Sequence, residues 1–308
     1  MYLLMQLMEE IVMNKFINLT KRNIKVYFSD KSMFFVSLIT PLILLVLYSS
    51  FLGNIFKESF ISAIPEGVDV SDKLINALVS GQIISSLLAV SAVTVAFTSN
   101  LLMVNDKVNG SIKDINITPI NKWIKSLSYF TASFISTIII NLVALGLCLL
   151  YTYKVGWFYS FNDILILILD IVILTLFGTS LSSIINFCLK SQGAASAVGT
   201  IVSSGYGFIC GAYMPISSFN INLQRVLLFM PGTYGTSLIK NHSLNPVLNE
   251  LSKVHIPNEV IENIKTSLDC NLSFFGQNVK IGSMYMIMII IIILFILINV
   301  LQNKLKKY

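Results

Sequence analysis

The side chains able to do chemistry are few in this 308-residue sequence, and the most conspicuous is a lone carboxylate. Asp170 interrupts the apolar run LILILDIVIL. A charged side chain at the bilayer centre costs about 2.5–3.5 kcal/mol on insertion scales, so we expect Asp170 to be protonated, paired or exposed to a polar cavity. Two interpretations stay open at this point: a substrate or proton site, and a structural hydrogen bond.

The histidines and cysteines do not form the sets that metal or redox chemistry requires. His242 and His255 are separated, and a metal site needs several ligands, so we expect solvated loop histidines and no metal site. No two cysteines show C-x-x-C spacing, and three lie in apolar runs, so we predict no disulfide framework. The cysteines are Cys148, Cys188, Cys210 and Cys270.

Composition indicates the surroundings in which these residues must be positioned. The chain is 55% hydrophobic and 12% charged, with a mean hydropathy of +0.79. An ordinary soluble domain carries roughly 25% charged residues. With half that share, a soluble protein could not cover its surface, so lipid must be the solvent for much of this chain.

Six stretches are long and apolar enough to cross a bilayer, which takes about 20 residues in a helix. They are Met33–Gly53, Leu74–Val104, Leu127–Tyr151, Ile164–Leu189, Ala194–Met214 and Met284–Leu301. The predicted fold class is therefore an all-α integral membrane protein with six transmembrane helices, forming a single domain over residues 1–308. The stretch 215–283 is then an enlarged extracellular loop before the last helix.

Lys and Arg accumulate in the cytoplasmic loops of membrane proteins, so their distribution predicts the orientation. With six crossings, both termini, the segment 105–126 and the turn 190–192 lie on one side. These segments hold thirteen of the 21 basic residues against five acids, a net charge of +8. The opposite side holds eight basic residues against nine acids, a net charge of −1. We predict that both termini are cytoplasmic and that the net charge of +6 does not imply nucleic-acid binding.

Two cytoplasmic segments are amphipathic. Residues 14–30, NKFINLTKRNIKVYFSD, predict a basic interfacial helix along the membrane surface, which could also be a simple orientation anchor. Residues 105–126 are polar but carry an apolar stripe, with Gly110 and Pro119 as breaks at either side of a short helix. That helix either contacts another protein or packs on lipid headgroups. The stripe consists of Val108, Ile112, Ile115, Ile117 and Ile120.

Other polar and small residues inside the predicted spans have a packing role or a functional one. Gln82, Asn100 and Asn186 are typical of interhelical hydrogen bonds, each contributing about 0.6–2 kcal/mol. Small residues recur every four positions in the fifth span, which lets helices approach closely. This stripe packs within the subunit or lines a dimer seam or pathway; both interpretations stay open. Its members are Ser203, Gly207 and Gly211.

The segment 105–126 resembles the first cytoplasmic loop of the type 2 ABC permeases, the membrane subunits of ABC exporters for drugs, antibiotics and polysaccharides. Asp106 stands where that family more often has Glu, and Lys107 stands at its Arg position. The residues that carry the likeness are Asp106, Gly110, Ile112, Ile115, Thr118 and Pro119.

Two further segments resemble the same family, so the likeness covers nearly the whole chain. The opening matches as a basic amphipathic helix, then Asp30–Lys31, an apolar run and Pro41. The enlarged stretch 243–282 departs from the family's usual compactness. After the fifth span the matching residues, in order, are Gly211, Tyr213, Pro215, Ile216, Pro231, Tyr234 and Lys240.

The resemblance implies a half-transporter that works as a dimer with a second permease chain and with two separate ATP-binding subunits. The sequence has no G-x-x-x-x-G-K-[ST] phosphate loop, so we expect no enzyme in this chain, and ATP with Mg on the partner. In the resembling family the loop helix docks into a groove on the ATPase, and the second and fifth spans face the central pathway. The implied pathway or seam residues are Gln82, Asn100, Asp170, Ser203, Gly207 and Gly211.

The preferred function is the permease subunit of an ATP-driven exporter in a bacterial plasma membrane, with an amphipathic or hydrophobic cargo such as a drug or antibiotic. An ion-coupled secondary transporter using Asp170 is the alternative, although residues 1–150 and 151–308 show no internal repeat. An intramembrane enzyme ranks last, because it needs several converging polar groups at membrane depth and the spans offer only Asp170 as an acid.

Overall fold

The computed structural model describes residues 2–63, 70–254 and 257–305, and the chain is mostly helical (84%). This confirms the all-α class. The helices of the first half are α1 (Tyr2–Ser29), α2 (Lys31–Leu47), α3 (Gly53–Ala63), α4 (Asp72–Val108), α5 (Ser111–Ile117) and α6 (Lys122–Val155), with a π-helical turn at Tyr48–Leu52 between α2 and α3.

The second half is also helical, and it contains a single short hairpin among the described residues. Its helices are α7 (Phe161–Cys188), α8 (Gln192–Ile209), α9 (Ile221–Leu227), α10 (Pro231–Leu251), α11 (Asn258–Ser267) and α12 (Ile281–Leu305), with a 3-10 turn at Ile216–Ser218. Strands β1 (Ser273–Phe274) and β2 (Gln277–Asn278) pair antiparallel. His255 lies outside the described residues.

Five helical segments in the described part of the chain are long and apolar enough to cross a membrane. They are Lys31–Ser50, Asp72–Val108, Lys122–Val155, Phe161–Cys188 and Ile281–Gln302. They coincide with five of the six predicted spans, so the chain is a multi-pass membrane protein. The helices extend past the apolar stretches into flanking polar residues, because backbone hydrogen bonding continues where hydropathy falls. The predicted loop 105–126 is therefore shorter in the structure, between Val108 and Lys122.

The remaining predicted span, 194–214, corresponds to α8, which is not among those five. Its 18 residues would extend about 27 Å at 1.5 Å per residue. Glycine, serine and threonine make up much of the helix, so its mean hydropathy is low despite the absence of charge. Length and composition alone leave its crossing as a proposal.

Helix α4 is the centre of the fold. It packs against α2, α6, α7, α8 and α10, and 89% of its most apolar window is buried. Small residues allow this crowding, because they let neighbouring backbones approach closely. At Gly178 of α7 a β-carbon would lie 2.7 Å from the carbonyl oxygen of Ala92, so the two helices are in backbone contact there.

The predicted interfacial helix 14–30 is the second half of α1, which packs along α6. Its inward face is buried at positions four residues apart, namely Leu19, Asn23 and Tyr27. The Tyr27 hydroxyl hydrogen-bonds to the Ser37 hydroxyl at 2.7 Å, which joins α1 to α2. This helix therefore rests on protein along one face, and its lysines occupy the other.

The predicted extracellular loop 215–283 is largely folded, and one of its helices belongs to the core. Helix α10 packs against α4, α7 and α12. A β-carbon at Gly81 would lie 2.9 Å from the Ser243 carbonyl oxygen, so α10 also reaches backbone contact with α4. Hydropathy misses this helix because its buried leucines and isoleucine alternate with glycine, serine and threonine and with polar residues such as Lys240, Asn241 and His242.

We predict that Gly178→Ala lowers the stability of the protein, because the new methyl group would have to separate α7 from α4. The expected loss is about 1–3 kcal/mol, as for overpacked cores, measured by thermal unfolding in detergent. Gly146→Ala is the matched control on α6, since a β-carbon there meets nothing within 4 Å. Equal unfolding temperatures for the two variants would contradict the close α4–α7 contact.

Candidate coupling site

A buried carboxylate joins three helices at one end of the bundle. Asp106, in the last turn of α4, is 5% exposed. Both of its oxygens accept hydrogen bonds from the Arg22 guanidinium of α1, one of them at 3.2 Å. The Tyr129 hydroxyl of α6 donates to the same carboxylate at 2.5 Å. We call this cluster of Arg22, Asp106 and Tyr129 the clamp.

The clamp is electrostatically well matched. Hydrogen bonds from ionised donors to ionised acceptors are roughly twice as strong as neutral ones, and a planar guanidinium binds a carboxylate in a fixed orientation. Hydrogen bonding to Asp106 raises the pKa of Arg22 above its ordinary value, with burial acting in the opposite direction. Arg22 therefore keeps its charge, and the cluster fixes the ends of α4 and α6 to α1.

The short helix predicted in the loop is α5, and both predicted breaks bound it. Gly110 precedes α5 with a φ of +82°, a left-handed conformation that favours glycine. Thr118 follows it in an extended conformation, as expected before Pro119. The Lys15 ammonium of α1 donates to the Pro119 carbonyl oxygen at 2.9 Å. Helix α1 therefore makes contacts on both sides of α5: Arg22 binds the end of α4 before it, and Lys15 binds the loop after it.

Helix α5 has a half-buried face and an exposed face. Ile112 and Ile115, predicted to dock on a partner, are half-buried, and Ile112 lines an open cavity together with the exposed Asn116. Ile117 is 84% exposed. Lys113, one turn before Ile117, is exposed on the same side. The face available to a partner thus carries Lys113 and Ile117.

A second buried ion pair stabilises the irregular segment that begins after α8 and precedes α10. Lys240 of α10 is fully buried and donates to the Asp269 carboxylate at 3.0 Å and to the Gly211 carbonyl oxygen at 2.8 Å. Asp269 also accepts from the backbone N–H groups of Ile216 (2.7 Å) and Ser217 (3.1 Å). The pair therefore satisfies backbone groups that a broken helix would leave unpaired.

A sequence model of one family, described as ABC-2 type transporter, matches residues 14–241. The matched interval covers well over half of the chain and contains the clamp, α5 and Lys240. The chain belongs to the ABC-2 type transporter family. A search of curated proteins found no match. Asp269 lies beyond the matched interval, in the enlarged stretch 243–282.

Asp170 of this ABC-2 transporter is paired rather than open to a cavity. It is 2% exposed, and its two oxygens contact His242 Nδ1 at 2.6 Å and the Tyr285 hydroxyl at 2.5 Å. Three helices, α7, α10 and α12, meet at these contacts. The expectation of a solvated loop histidine is wrong for His242, because α10 is a core helix rather than an outer loop.

The polar residues predicted within the spans lie at contacts between helices or inside one helix. Asn100 of α4 donates to the hydroxyls of Ser182 (2.9 Å) and Ser183 (2.7 Å) on α7. Asn186 donates to the Phe97 carbonyl oxygen at 3.4 Å, which adds a second α4–α7 bond. Gln82 is buried and donates to the Ser86 hydroxyl within α4 at 3.3 Å. Asn100 also lines a small cavity between α1, α4 and α6.

The small-residue stripe of α8 packs against Tyr213 of the same chain. A β-carbon at Gly207 would collide with the Tyr213 ring, and the Tyr213 hydroxyl reaches the Ser203 carbonyl oxygen at 3.5 Å. Gly211 has a φ of +74° and lies at the start of the irregular segment that follows α8. The stripe thus accommodates an aromatic side chain at the break, while the opposite face of α8 is exposed.

The remaining predicted motif residues also belong to the break. Pro215 directly precedes the 3-10 turn, and Pro231 occupies the first turn of α10, where its missing N–H is no loss. The Tyr234 hydroxyl donates to the Leu228 carbonyl oxygen at 2.7 Å. Sequence reasoning missed Arg22, Tyr129 and Asp269 as partners, because their contacts bridge residues too distant in sequence for any spacing pattern.

We predict that Arg22→Gln lowers stability by about 1.5–3 kcal/mol, the usual contribution of hydrogen bonds to charged groups, because Asp106 remains buried. Thermal unfolding of the purified protein measures the effect. Lys21→Gln is the matched control, since Lys21 is exposed one residue away on the same helix and surface changes stay within about 0.5 kcal/mol. Equal losses in the two variants would show that the clamp contributes nothing.

Proposed function

We propose that this chain is the membrane-spanning subunit of an ATP-driven exporter, in which α5 receives the movement of a separate ATP-binding subunit. The observation that carries the proposal is the clamp, which ties together α1, α4 and α6, the three helices around the α5 loop. A helix held only by its own ends would absorb a push by bending its linkers. The α5 loop accepts a hydrogen bond from Lys15 of α1 and is continuous with α4 and α6, which the clamp fixes to α1, so it would pass the push on to the bundle.

Movement of α4 would then reach the rest of the subunit. Two residues separate α5 from the end of α4. Helix α4 in turn packs against α2, α6, α7, α8 and α10. Tightly packed interfaces favour discrete arrangements over gradual deformation. Differential binding of the ATP-bound partner to one arrangement would switch the pathway from inward-open to outward-open.

The partners follow from this role. ATP and Mg belong to the separate subunit, since the sequence has no phosphate loop of its own. A second permease chain, identical or paralogous, would complete the pathway. In support, α8 exposes a face of small and polar residues that suits a protein neighbour better than lipid, including Gly193, Ser196, Thr200 and Ser204.

We further propose that α8 supplies the sixth crossing and that both termini are cytoplasmic, as the distribution of Lys and Arg favours. With α8 spanning, the two ends of the chain lie on one side of a plasma membrane. The scarcity of charge within the spans favours an amphipathic or hydrophobic cargo, such as a drug or antibiotic, in a bacterial cell.

The engagement of Asp170 argues against ion coupling as the main function. A transported ion or proton needs a carboxylate that it can reach, whereas Asp170 has both oxygens bonded to His242 and Tyr285. In the proposed exporter this trio is structural and holds α10 between α7 and α12. The secondary-transporter alternative therefore has no observation in its favour beyond the presence of the acid.

We expect Ile117→Asp to abolish transport and to weaken co-purification of the ATP-binding subunit, because burying an isoleucine at an interface contributes about 1.5–3 kcal/mol. The protein should still insert and fold, since this side chain is exposed. Membrane vesicles with added ATP measure transport, and affinity pull-down measures the partner.

Ile11→Asp is the matched control, an exposed isoleucine of α1 that is 51% accessible. It should leave both transport and partner binding unchanged. Normal transport by Ile117→Asp with the ATP-binding subunit still bound would contradict a docking role for α5. Robust ATP hydrolysis by the isolated chain would contradict the need for a partner.

We predict opposite accessibility for positions 113 and 275 in intact cells. Both side chains are exposed, so each can be tested as a single cysteine in a background with the four natural cysteines replaced by serine. A membrane-impermeant maleimide should label Phe275→Cys at once, and Lys113→Cys only after permeabilisation. The reverse pattern would invert the topology, and labelling of both from outside would rule out the sixth crossing.

A further inference from the structure

A small polar cavity lies between α1, α4 and α6, beside the clamp. Every residue that lines it is buried. The space open to the centre of a water-sized molecule is ≈ 10 Å³, which is about what a single water molecule needs. The proposed coupling function assigns nothing to this cavity. Its polar lining comes from all three helices, with Asn23 on α1, Ser99 and Asn100 on α4, and Tyr129, Ser133 and Ser136 on α6.

Two polar groups of this lining have no hydrogen-bond partner among the residues that the structure describes. They are the amide nitrogen of Asn23 and the hydroxyl of Ser136. Asn23 is 0% exposed and Ser136 is 1% exposed, so neither group reaches bulk solvent. Buried polar groups in folded proteins are paired with protein or with ordered water, because an unpaired one is costly. Since both groups line the same cavity, one occupant can serve both.

The orientation of the Asn23 side chain is fixed by its neighbour in the clamp. The Arg22 guanidinium donates to the Asn23 amide oxygen at 3.0 Å. A guanidinium carries only donors, so the amide must present its oxygen to Arg22 and not its nitrogen. The two N–H groups on the nitrogen therefore need an acceptor from somewhere other than the clamp.

The chemistry of the lining favours a neutral occupant that can both donate and accept. No Asp, Glu, Lys, Arg or His is among the described residues that line the cavity. An ion in this space would be buried without a charged group in contact, which is costly. The N–H groups of Asn23 also disfavour a cation, whereas the Ser136 hydroxyl can either donate or accept. A water molecule meets all of these requirements.

We propose that the cavity binds one ordered water molecule, which accepts a hydrogen bond from Asn23 Nδ2 and bonds to the Ser136 hydroxyl. Buried waters typically make about three hydrogen bonds, and the Ser133 hydroxyl in the same lining can provide the third. The water extends the clamp from Arg22 through Asn23 to Ser136. It thus joins α1 to α6 a second time, about two helical turns along α6 from Tyr129.

Thermal unfolding of the purified full chain in detergent distinguishes a wet cavity from a dry one. Ser136→Ala should lower the unfolding temperature by about 2–4 °C, as expected for one lost hydrogen bond. Thr175→Val is the matched control on α7, because its hydroxyl is also buried and without a partner among the described residues but does not line this cavity. The control should leave the unfolding temperature unchanged or raise it, since it removes an unpaired polar group.

An unchanged or higher unfolding temperature for Ser136→Ala, or equal losses in the two variants, would contradict the water. A crystal structure of the unmodified full chain, grown with rubidium bromide, observes the occupant directly and does not depend on how the variants fold. Density within hydrogen-bond distance of both Asn23 Nδ2 and Ser136 Oγ, with no anomalous signal, is the expected result. An anomalous peak would assign the cavity to an ion, and a cavity without density would be dry; either result overturns the proposal.

Discussion

A buried carboxylate has to be paired, and the pairing of Asp106 determines how one end of this molecule is built. Its two oxygens bind Arg22 of α1 and Tyr129 of α6, while its backbone belongs to α4. Removing Arg22 would leave the buried carboxylate without its charged partner, which costs about 1.5–3 kcal/mol. The sequence of α1 predicts an amphipathic helix on the membrane surface. In the structure Arg22 joins this helix to the bundle, and Lys15 joins it to the loop that follows α5.

The same physical rule operates at the break between α8 and α10. A helix that ends inside the protein leaves backbone groups unpaired, and in a membrane these must be satisfied by the protein itself. The buried Lys240–Asp269 pair does this by binding the Gly211 carbonyl and the Ile216 N–H. Two buried acids thus fix parts of the fold that are far apart in sequence: Asp106 joins α1, α4 and α6, and Asp269 holds the irregular segment after α8.

Much of the architecture was predictable from local sequence, and the parts that were not have identifiable causes. Hydropathy located five spans, and Gly110 and Pro119 correctly bounded α5, because these signals act over a few residues. Helix α10 is not predicted as a core helix because its polar and small residues lower the mean hydropathy, although its leucines and isoleucine are buried. His242 lies on α10, so the contact between Asp170 and His242 could not be predicted without that helix. The partners Arg22 and Asp269 required tertiary contacts that spacing does not encode.

The central claim is that the clamp makes α1 and the α5 loop move together when the ATP-binding subunit acts. Spin labels at Asn18→Cys on α1 and Lys113→Cys on α5, both exposed positions, measure the distance between them by pulsed electron resonance. In the assembled transporter, one narrow distance distribution should persist with and without ATP, and Arg22→Gln should broaden it. A distribution that shifts or splits with ATP in the unmodified clamp would show that α5 moves independently of α1 and would contradict the account.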